Sequence, residues 1–358
     1  MHDIERPNLS HLPAAVVAYI EALEQELLAL QARTLPVAQP PQPRRAEAAE
    51  EGDEPAEPPT TLNVITLSAA GTGKRTPRHL YRRQRRGGMG IFDLQASEDD
   101  PPAILAVADE ADTLLLFTNQ GRVFRVAVAG ISLTEVRARG QSIVKTLGLR
   151  AGETLVAALP EAGDGYYCLA SERGWVRRIH YHYLGRTLIP GTTFHNIKEG
   201  GYLTHACWTP GGGEVLIATR QGLGIRFNEQ QIPARGCLGM RIAPDDRVIG
   251  MVATTEDDGV FLLSADGKGT IRLMAGFRAH KAPGAAGKVL IKTDDLRGIC
   301  AAGVAARGES ADVFVISRLG KMVRFDGGEV PAKTGVVQGV NCLALRGDEA
   351  VAVVPANH

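Results

Sequence analysis

From residue 60 onward, short apolar runs and alternating runs follow one another, and glycines separate them. The runs over residues 114–117 and 313–316 are typical, because each is apolar throughout and too short for an ordinary helix. Short β-branched and apolar runs bounded by glycine are typical of β-strands joined by tight turns. The pattern therefore predicts an all-β region over residues 60–358.

One local pattern occurs six times in this region: Ser or Thr, two further residues, Gly, and a basic residue shortly afterwards. The copies begin at Ser68, Thr118, Ser171, Thr219, Ser264 and Ser317. Strands flank each copy, so the glycine supplies the positive φ of a hairpin turn. The turn glycines are 45 to 53 residues apart, the size of one four-stranded blade in a radial array. Six blades predict a propeller-like ring, which the repeats can close but which the sequence leaves open or closed.

The basic residue of each copy falls at an equivalent place on the second strand of the hairpin. These residues are Arg75, Arg125, Arg178, Arg226 and Arg324, with Arg272 displaced by one position in the fifth copy. Solvent-facing strand positions can carry charge simply to blunt sheet edges, but that explanation predicts glutamate about as readily. The register instead favours a track of cations around one rim, which suits a curved DNA duplex.

The first copy carries the densest positive charge. Between residues 67 and 92 there are seven basic residues and no acidic one: Lys74, Arg75, Arg78, Arg82, Arg83, Arg85 and Arg86. The loop after the hairpin reads Gln84-Arg85-Arg86-Gly87-Gly88-Met89-Gly90. Two guanidinium groups beside a flexible glycine backbone can approach phosphate closely.

This loop resembles the signature box in the C-terminal domain of the DNA gyrase A subunit, which reads Gln-Arg-Arg-Gly-Gly-Lys-Gly. Met89 stands where lysine is usual, and the other six positions agree. The resemblance extends over residues 60–358 through the six repeats. It implies a six-bladed β-pinwheel, whose neighbouring blades exchange strands and whose basic outer edge wraps DNA.

The resemblance also implies roles for individual residues. By position, the box role falls to Gln84, Arg85, Arg86, Gly87, Gly88 and Gly90. The predicted double-stranded DNA contacts further include Lys74, Arg75, Arg82, Arg83, Arg125, Arg178, Arg226, Arg272 and Arg324. The loss of the box lysine at Met89 is expected to weaken the wrap.

The first 59 residues differ from the rest. They hold 4 basic and 11 acidic side chains, a balance of −7 that leaves +7 for residues 60–358. Residues 13–33 place Val16, Ile20, Leu23, Leu27 and Leu30 on one seam of a predicted amphipathic helix. This N-terminal segment, residues 1–35, could pair with a second copy, dock on another protein or pack on its own domain. Residues 36–59, rich in proline and acidic residues, predict a disordered linker.

Composition excludes several classes of protein. The five cysteines lie far apart without a Cys-x-x-Cys pair and the histidines lack metal spacing, so neither a structural metal nor a cofactor is expected. There is no run of 18 apolar residues, and Asp3, Glu5 and Arg6 precede the first apolar run, so neither a membrane span nor a signal peptide is expected. The expected location is the cytoplasm, in association with the nucleoid.

The leading functional hypothesis is a DNA-wrapping module that acts with gyrase or topoisomerase IV subunits. The resemblance implies no enzyme activity for this part alone, and no tyrosine of the chain follows an arginine as the gyrase nucleophile does. The alternatives are a propeller used as a protein-interaction scaffold and a split piece of a complete gyrase subunit. The acidic segment 47–57 is also hypothesised to compete with phosphate for the box.

Overall fold

The computed structural model describes residues 13–33, 57–95, 97–145, 147–302 and 311–356. The chain divides into two compact units, Met1–Pro55 and Ala56–His358. The first unit contains helix α1 (Ala14–Arg33), which confirms the predicted helix. Val16 and Leu23 are 42% and 47% exposed. Within the described ranges, no helix has the length and apolar character needed to cross a membrane.

The second unit consists of short strands. In chain order the first are β1 (Leu62–Ser68), β2 (Thr72–Pro77), β3 (Ile91–Phe92), β4 (Pro102–Asp109), β5 (Thr113–Thr118), β6 (Arg122–Ala127), β7 (Gln141–Ser142), β8 (Leu155–Pro160), β9 (Tyr166–Ser171), β10 (Trp175–His180), β11 (Thr192–Thr193) and β12 (Leu203–Thr209). They are followed by β13 (Glu214–Thr219), β14 (Leu223–Asn228), β15 (Cys237–Leu238), β16 (Val248–Thr254), β17 (Gly259–Ser264), β18 (Lys268–Leu273), β19 (Lys288–Val289), β20 (Leu296–Ala302), β21 (Asp312–Ser317), β22 (Lys321–Asp326), β23 (Ala332–Lys333), β24 (Val340–Asn341) and β25 (Ala350–Ala356). A short helix, α2 (Ile197–Gly200), precedes β12.

The strands form six sheets, or blades, numbered here by their hairpins. Their strand orders are β4-β1-β2-β7, β8-β5-β6-β11, β12-β9-β10-β15, β16-β13-β14-β19, β20-β17-β18-β23 and β25-β21-β22-β3, with β24 also pairing with β18 in blade 5. The first strand of each order lies against the first strands of both neighbouring blades, including β25 against β4. The ring is therefore closed, and the last strand of each order forms its outer edge. The predicted six-bladed ring is confirmed.

The outer strand of each blade does not directly follow that blade's own hairpin in the chain. It comes from the segment after the hairpin of a neighbouring blade. Blade 1 receives β7 from the segment after the blade 2 hairpin, and blade 6 receives β3 from the segment after the blade 1 hairpin. In blade 6, Lys321 lies opposite Phe92 and Met322 opposite Ile91. The predicted strand exchange thus joins the first blade to the last.

The hairpin turns follow the predicted pattern. In all six, the glycine has a φ between 73° and 84°, and its N–H donates to the Ser or Thr carbonyl at 2.8 to 3.1 Å. In five copies the Ser or Thr hydroxyl accepts a hydrogen bond from the N–H after the glycine, as Ser68 does from Thr72 at 2.9 Å. The hydroxyl therefore satisfies an amide that the tight turn would leave without a partner.

Apolar side chains fill the space between every two neighbouring blades. At the joint of blades 6 and 1, Val64, Tyr81 and Leu105 pack with Phe314 and Ile316. Burial of each large apolar side chain contributes about 1.5–3 kcal/mol. The closing joint therefore has the same kind of core as the other five joints.

Candidate nucleic-acid interface

The arginines in register were predicted to face outward, and for most of them this prediction is wrong. Arg75, Arg226, Arg272 and Arg324 are 6%, 2%, 5% and 5% exposed. Arg125 and Arg178 are half-buried. They do not form an exposed track, because each blade is covered on both faces by its neighbours.

Two of these buried arginines, Arg75 and Arg324, connect consecutive blades. Arg75 Nε donates to the carbonyl of Ile131 at 2.9 Å, and its guanidinium pairs with Glu110 at 3.0 Å. Both partners belong to the connections of blade 2. Arg324 of blade 6 similarly donates to the carbonyl of Tyr81 at 3.0 Å in blade 1. At Arg75 and Arg324 the position therefore needs a hydrogen-bond donor that reaches a carbonyl of the next blade, which glutamate could not supply.

Arg272 departs from the others because of its displacement. It lies opposite Val260, whereas its neighbour Ile271 takes the place that arginine holds in the other blades. A shift of one residue moves a side chain to the other face of a sheet. Arg272 Nη2 donates to the carbonyl of Gly276 at 3.1 Å, and burial lowers the pKa of its guanidinium.

Two more predicted cations also point inward. Lys74 and Asp93 form an ion pair at 2.7 Å in which both side chains are fully buried. Arg83 is 28% exposed and pairs with the buried carboxylate of Asp312 at 2.6 Å. Because Lys74 is fully buried, its predicted contact with DNA is wrong. The DNA contact predicted for Arg83 stays a prediction.

The box lies at the joint between blades 1 and 6. Gly87 N–H donates to the carbonyl of Cys342 at 2.8 Å, and Gly88 accepts from Ala344 N–H at 3.0 Å. Gly90 has a φ of +68°, and a Cβ there would lie 2.8 Å from the carbonyl oxygen of Met322. Gly90 thus allows close approach to the backbone of blade 6, and Gly87 and Gly88 lie against the segment that follows β24. The sequence had suggested that these glycines allow phosphate to approach.

The polar residues of the box and the neighbouring Arg82 differ in whether they have hydrogen-bond partners among the described residues. Arg86 is exposed, yet its Nε donates to the carbonyl of Glu329 at 3.0 Å and its N–H to the Glu329 carboxylate at 3.0 Å. Gln84 N–H donates to the carbonyl of Arg324 at 2.7 Å. Arg82 and Arg85 are exposed, and their guanidinium groups have no partner within the residues that the structure describes.

Sequence reasoning missed most of the exposed cations. They lie in the segments that run from the second hairpin strand of each blade to an outer strand. These outer-edge cations are Arg82, Arg85, Arg86, Arg137, Arg139, Arg186, Arg235, Arg278, Lys281, Lys288 and Lys333. Their segments expose one carboxylate, Glu135, within the described residues, because Glu229 is buried and Glu329 is half-buried. A count of charge by segment would have indicated them.

Glu57 forms ion pairs with one arginine that follows the blade 1 hairpin and with one arginine of blade 6. Its carboxylate accepts from Arg78 Nε at 2.9 Å and pairs with Arg324 Nη1 at 2.6 Å. Burial alone would raise the pKa of this carboxyl, but the hydrogen bonds and charges of the two arginines lower it. Residues 36–56 of the predicted linker lie outside the described residues, so its disorder and its competition for the box stay predictions.

The comparisons with known proteins agree with this geometry. A family model described as "DNA gyrase C-terminal domain, beta-propeller" matches residues 62–100, 112–160, 213–255 and 311–357. The DNA gyrase A subunit of Ureaplasma parvum serovar 3 is 27% identical over 296 residues, which cover 80% of this chain and 35% of that protein. The DNA gyrase A subunit of Escherichia coli K12 is 28% identical over 297 residues, which cover 80% and 34%. The chain thus spans about a third of the length of these curated relatives.

Solved structures share the fold. A DNA gyrase A C-terminal domain superposes with a TM-score of 0.72 at 20% identity, covering 82% of this chain and 99% of that one. The C-terminal domain of a DNA topoisomerase IV superposes with a TM-score of 0.55 at 18% identity, covering 83% and 93%. Taken with the family match and the six-bladed ring, these findings show that the chain belongs to the DNA gyrase A C-terminal domain family.

Proposed function

We propose that the ring binds double-stranded DNA without sequence preference and wraps it around its outer edge. The observation that carries this proposal is the set of outer-edge cations, to which every blade contributes. It includes Arg82 and Arg85, whose guanidinium groups have no partner among the described residues. Such groups bind phosphate through charge and hydrogen bonds, and phosphates recur along the whole duplex. The low aromatic content, 5% of residues, argues against a single-strand stacking platform.

Wrapping requires contacts that are separated along the duplex. Bending 20 to 30 base pairs through 40 to 90° costs about 1–6 kcal/mol, which several phosphate contacts together can offset. Outer-edge cations of successive blades supply contacts at intervals around a closed circumference. One isolated basic patch would bind DNA but would not hold it in a curve.

The proposal extends to partners. A wrapped duplex changes the crossings available to an enzyme that passes one DNA segment through another, so the ring would act with gyrase or topoisomerase IV subunits at the nucleoid in the cytoplasm. The family match covers the C-terminal domain of gyrase A, and the proposal therefore contains no DNA cleavage step.

The test uses the purified chain, a plain duplex and relaxed plasmid. Neutralisation of six to ten phosphates predicts that affinity falls by about 10³- to 10⁵-fold between about 50 and 200 mM salt. Addition of a separate topoisomerase to the plasmid complex is expected to fix a shifted linking number. A binding curve that is flat over this salt range, or an unchanged linking number, would contradict the proposal.

Replacement of Met89 by lysine is expected to strengthen DNA binding. Met89 is 60% exposed within the box, so a lysine there faces solvent and can reach phosphate. One added contact should steepen the slope of log K against log salt by about 0.9, as salt-dependent fluorescence anisotropy would measure. The control is Leu319→Lys, which adds the same charge at a residue 52% exposed in the blade 6 hairpin turn. An equal gain from both variants would show that the box position has no special access to DNA.

A further inference from the structure

A buried polar network lies at the base of the box loop, which we define as residues 82–92. The Asp93 carboxylate pairs with Lys74 Nζ at 2.7 Å and accepts hydrogen bonds from Tyr81 OH at 2.6 Å and Thr66 Oγ1 at 2.7 Å. The four side chains are 0–2% exposed. Buried charges are tolerated when they are paired and hydrogen-bonded as fully as this carboxylate is.

The network ties the two ends of the box loop together. Tyr81 directly precedes the loop and Asp93 directly follows it, so their hydrogen bond closes the base of the loop. Burial, with the adjacent Asp93 charge, raises the pKa of the Tyr81 hydroxyl well above its usual range. The phenol therefore stays protonated and keeps donating its hydrogen bond.

The same network reaches two other blades. Lys74 Nζ donates to the carbonyls of Val136 and Glu135, the latter at 3.0 Å, in the outer-edge segment that starts in blade 2. Asp93 N–H donates to the carbonyl of Gly320 in blade 6 at 2.8 Å. Three blades are thus connected through one buried ion pair.

Two cations from different blades lie against Phe92, the residue next to Asp93. The guanidinium of Arg137 lies 5.7 Å from the ring centroid of Phe92, and the ammonium of Lys321 lies 5.6 Å from it. Arg82 and Arg85 belong to the box loop itself, and Arg137 directly follows Val136. The positions of the cations relative to one another therefore depend on the backbone that the network holds.

We propose that Lys74, Tyr81 and Asp93 are positioning residues for DNA wrapping. They hold the box loop against blades 2 and 6, so that the cations of three blades present one surface to consecutive phosphates. This inference rests on the proposed DNA wrapping. Binding to a short, straight duplex needs few contacts and tolerates a loose loop, whereas a bent duplex must be held by several cations at once.

The test compares wrapping with simple binding in Tyr81→Phe and Asp93→Asn. Wrapping is measured by energy transfer between the ends of a long labelled duplex, and binding by anisotropy of a short duplex. Both variants are expected to lower the equilibrium constant for wrapping about tenfold. This is near the upper end of the effects of residues that act without touching the ligand. Short-duplex affinity should stay within about twofold, because the cations themselves remain. Tyr81→Phe removes only one hydroxyl, which keeps the ring folded if Asp93→Asn proves too disruptive.

The matched control is Glu153→Gln in blade 2. Glu153 is also buried and accepts from Thr118 Oγ1 at 2.7 Å and Arg122 Nη1 at 2.7 Å, but it lies beside a hairpin turn. This control is expected to lower stability and leave wrapping unchanged. Normal wrapping by folded Tyr81→Phe and Asp93→Asn, or an equal loss in the control, would overturn the inference. Failure of the unaltered chain to bind even the short duplex would instead overturn the proposed function, and this inference with it.

Discussion

Replacement of Arg82 and Arg85 by glutamate is expected to lower the affinity for duplex DNA by about a hundredfold or more at about 50 mM salt. Each phosphate contact contributes about −0.9 to the slope of log K against log salt, and these two guanidinium groups are exposed and unpaired within the described part of the chain. The slope should therefore become shallower by about two. Titrations at several salt concentrations measure both quantities.

The matched control reverses two other arginines. Arg173 and Arg318 are exposed in the hairpin turns of blades 3 and 6, outside the segments of the outer-edge cations. Their replacement by glutamate changes the net charge equally and is expected to change affinity only slightly, through the overall field of the protein. Equal losses from both double variants would mean that net charge, and not the outer edge, determines binding. Arg86 is left unaltered because glutamate there would face Glu329.

The largest expected effect on stability comes from Arg324→Met. Arg324 Nε donates to the fully buried Asp312 carboxylate at 2.6 Å, and the same guanidinium pairs with Glu57. Removal of one partner from a buried ion pair costs about 3–5 kcal/mol. Because Arg83 still pairs with Asp312, the loss here is expected at the lower end of that range, about 3 kcal/mol. The free energy of unfolding from urea titrations is expected to fall by this amount.

Arg75→Met is the matched comparison, because Arg75 holds the same position in blade 1. Its partner Glu110 is 50% exposed, so water can solvate the carboxylate once the arginine is gone. The loss is expected to be about 1–2 kcal/mol, mainly from the carbonyl of Ile131 that loses its donor. Equal losses at the two positions would show that burial of the partner carboxylate does not set the cost.

The hairpins and the six-bladed ring could be predicted from the sequence because their signals are local. A turn such as Ser68–Gly71 needs only a hydroxyl, a glycine with positive φ and flanking strands, and all of these lie within a few residues. Repetition at about 50 residues then indicates blades and their number. The α1 helix was predictable for the same reason.

The direction of the arginine side chains could not be predicted in this way. Alternation along a strand tells which residues share a face, but in a ring of blades both faces are covered, so an alternating pattern does not identify the exposed one. Arg75 and Arg324 therefore looked like rim residues. The partners that explain them, Ile131 and Tyr81, lie in other blades.

The box was recognised from its residues, but its surroundings required the structure. Gly87 contacts Cys342, which is more than 250 residues away along the chain. Nothing in the sequence near either residue indicates this pairing. As a result, the glycines of the box were linked to phosphate, whereas Gly87 lies closest to the backbone of β24 and Gly90 to the backbone of blade 6.

The pairing of β3 with β22 also has a consequence for biosynthesis. Residues 91–92 leave the ribosome well before residues 321–326 exist, so the box loop lacks its blade 6 partners while most of the ring is being made. Contacts between such distant parts of a chain form slowly. The box, although among the first parts of the ring to be translated, therefore reaches its final shape only when the last blade folds.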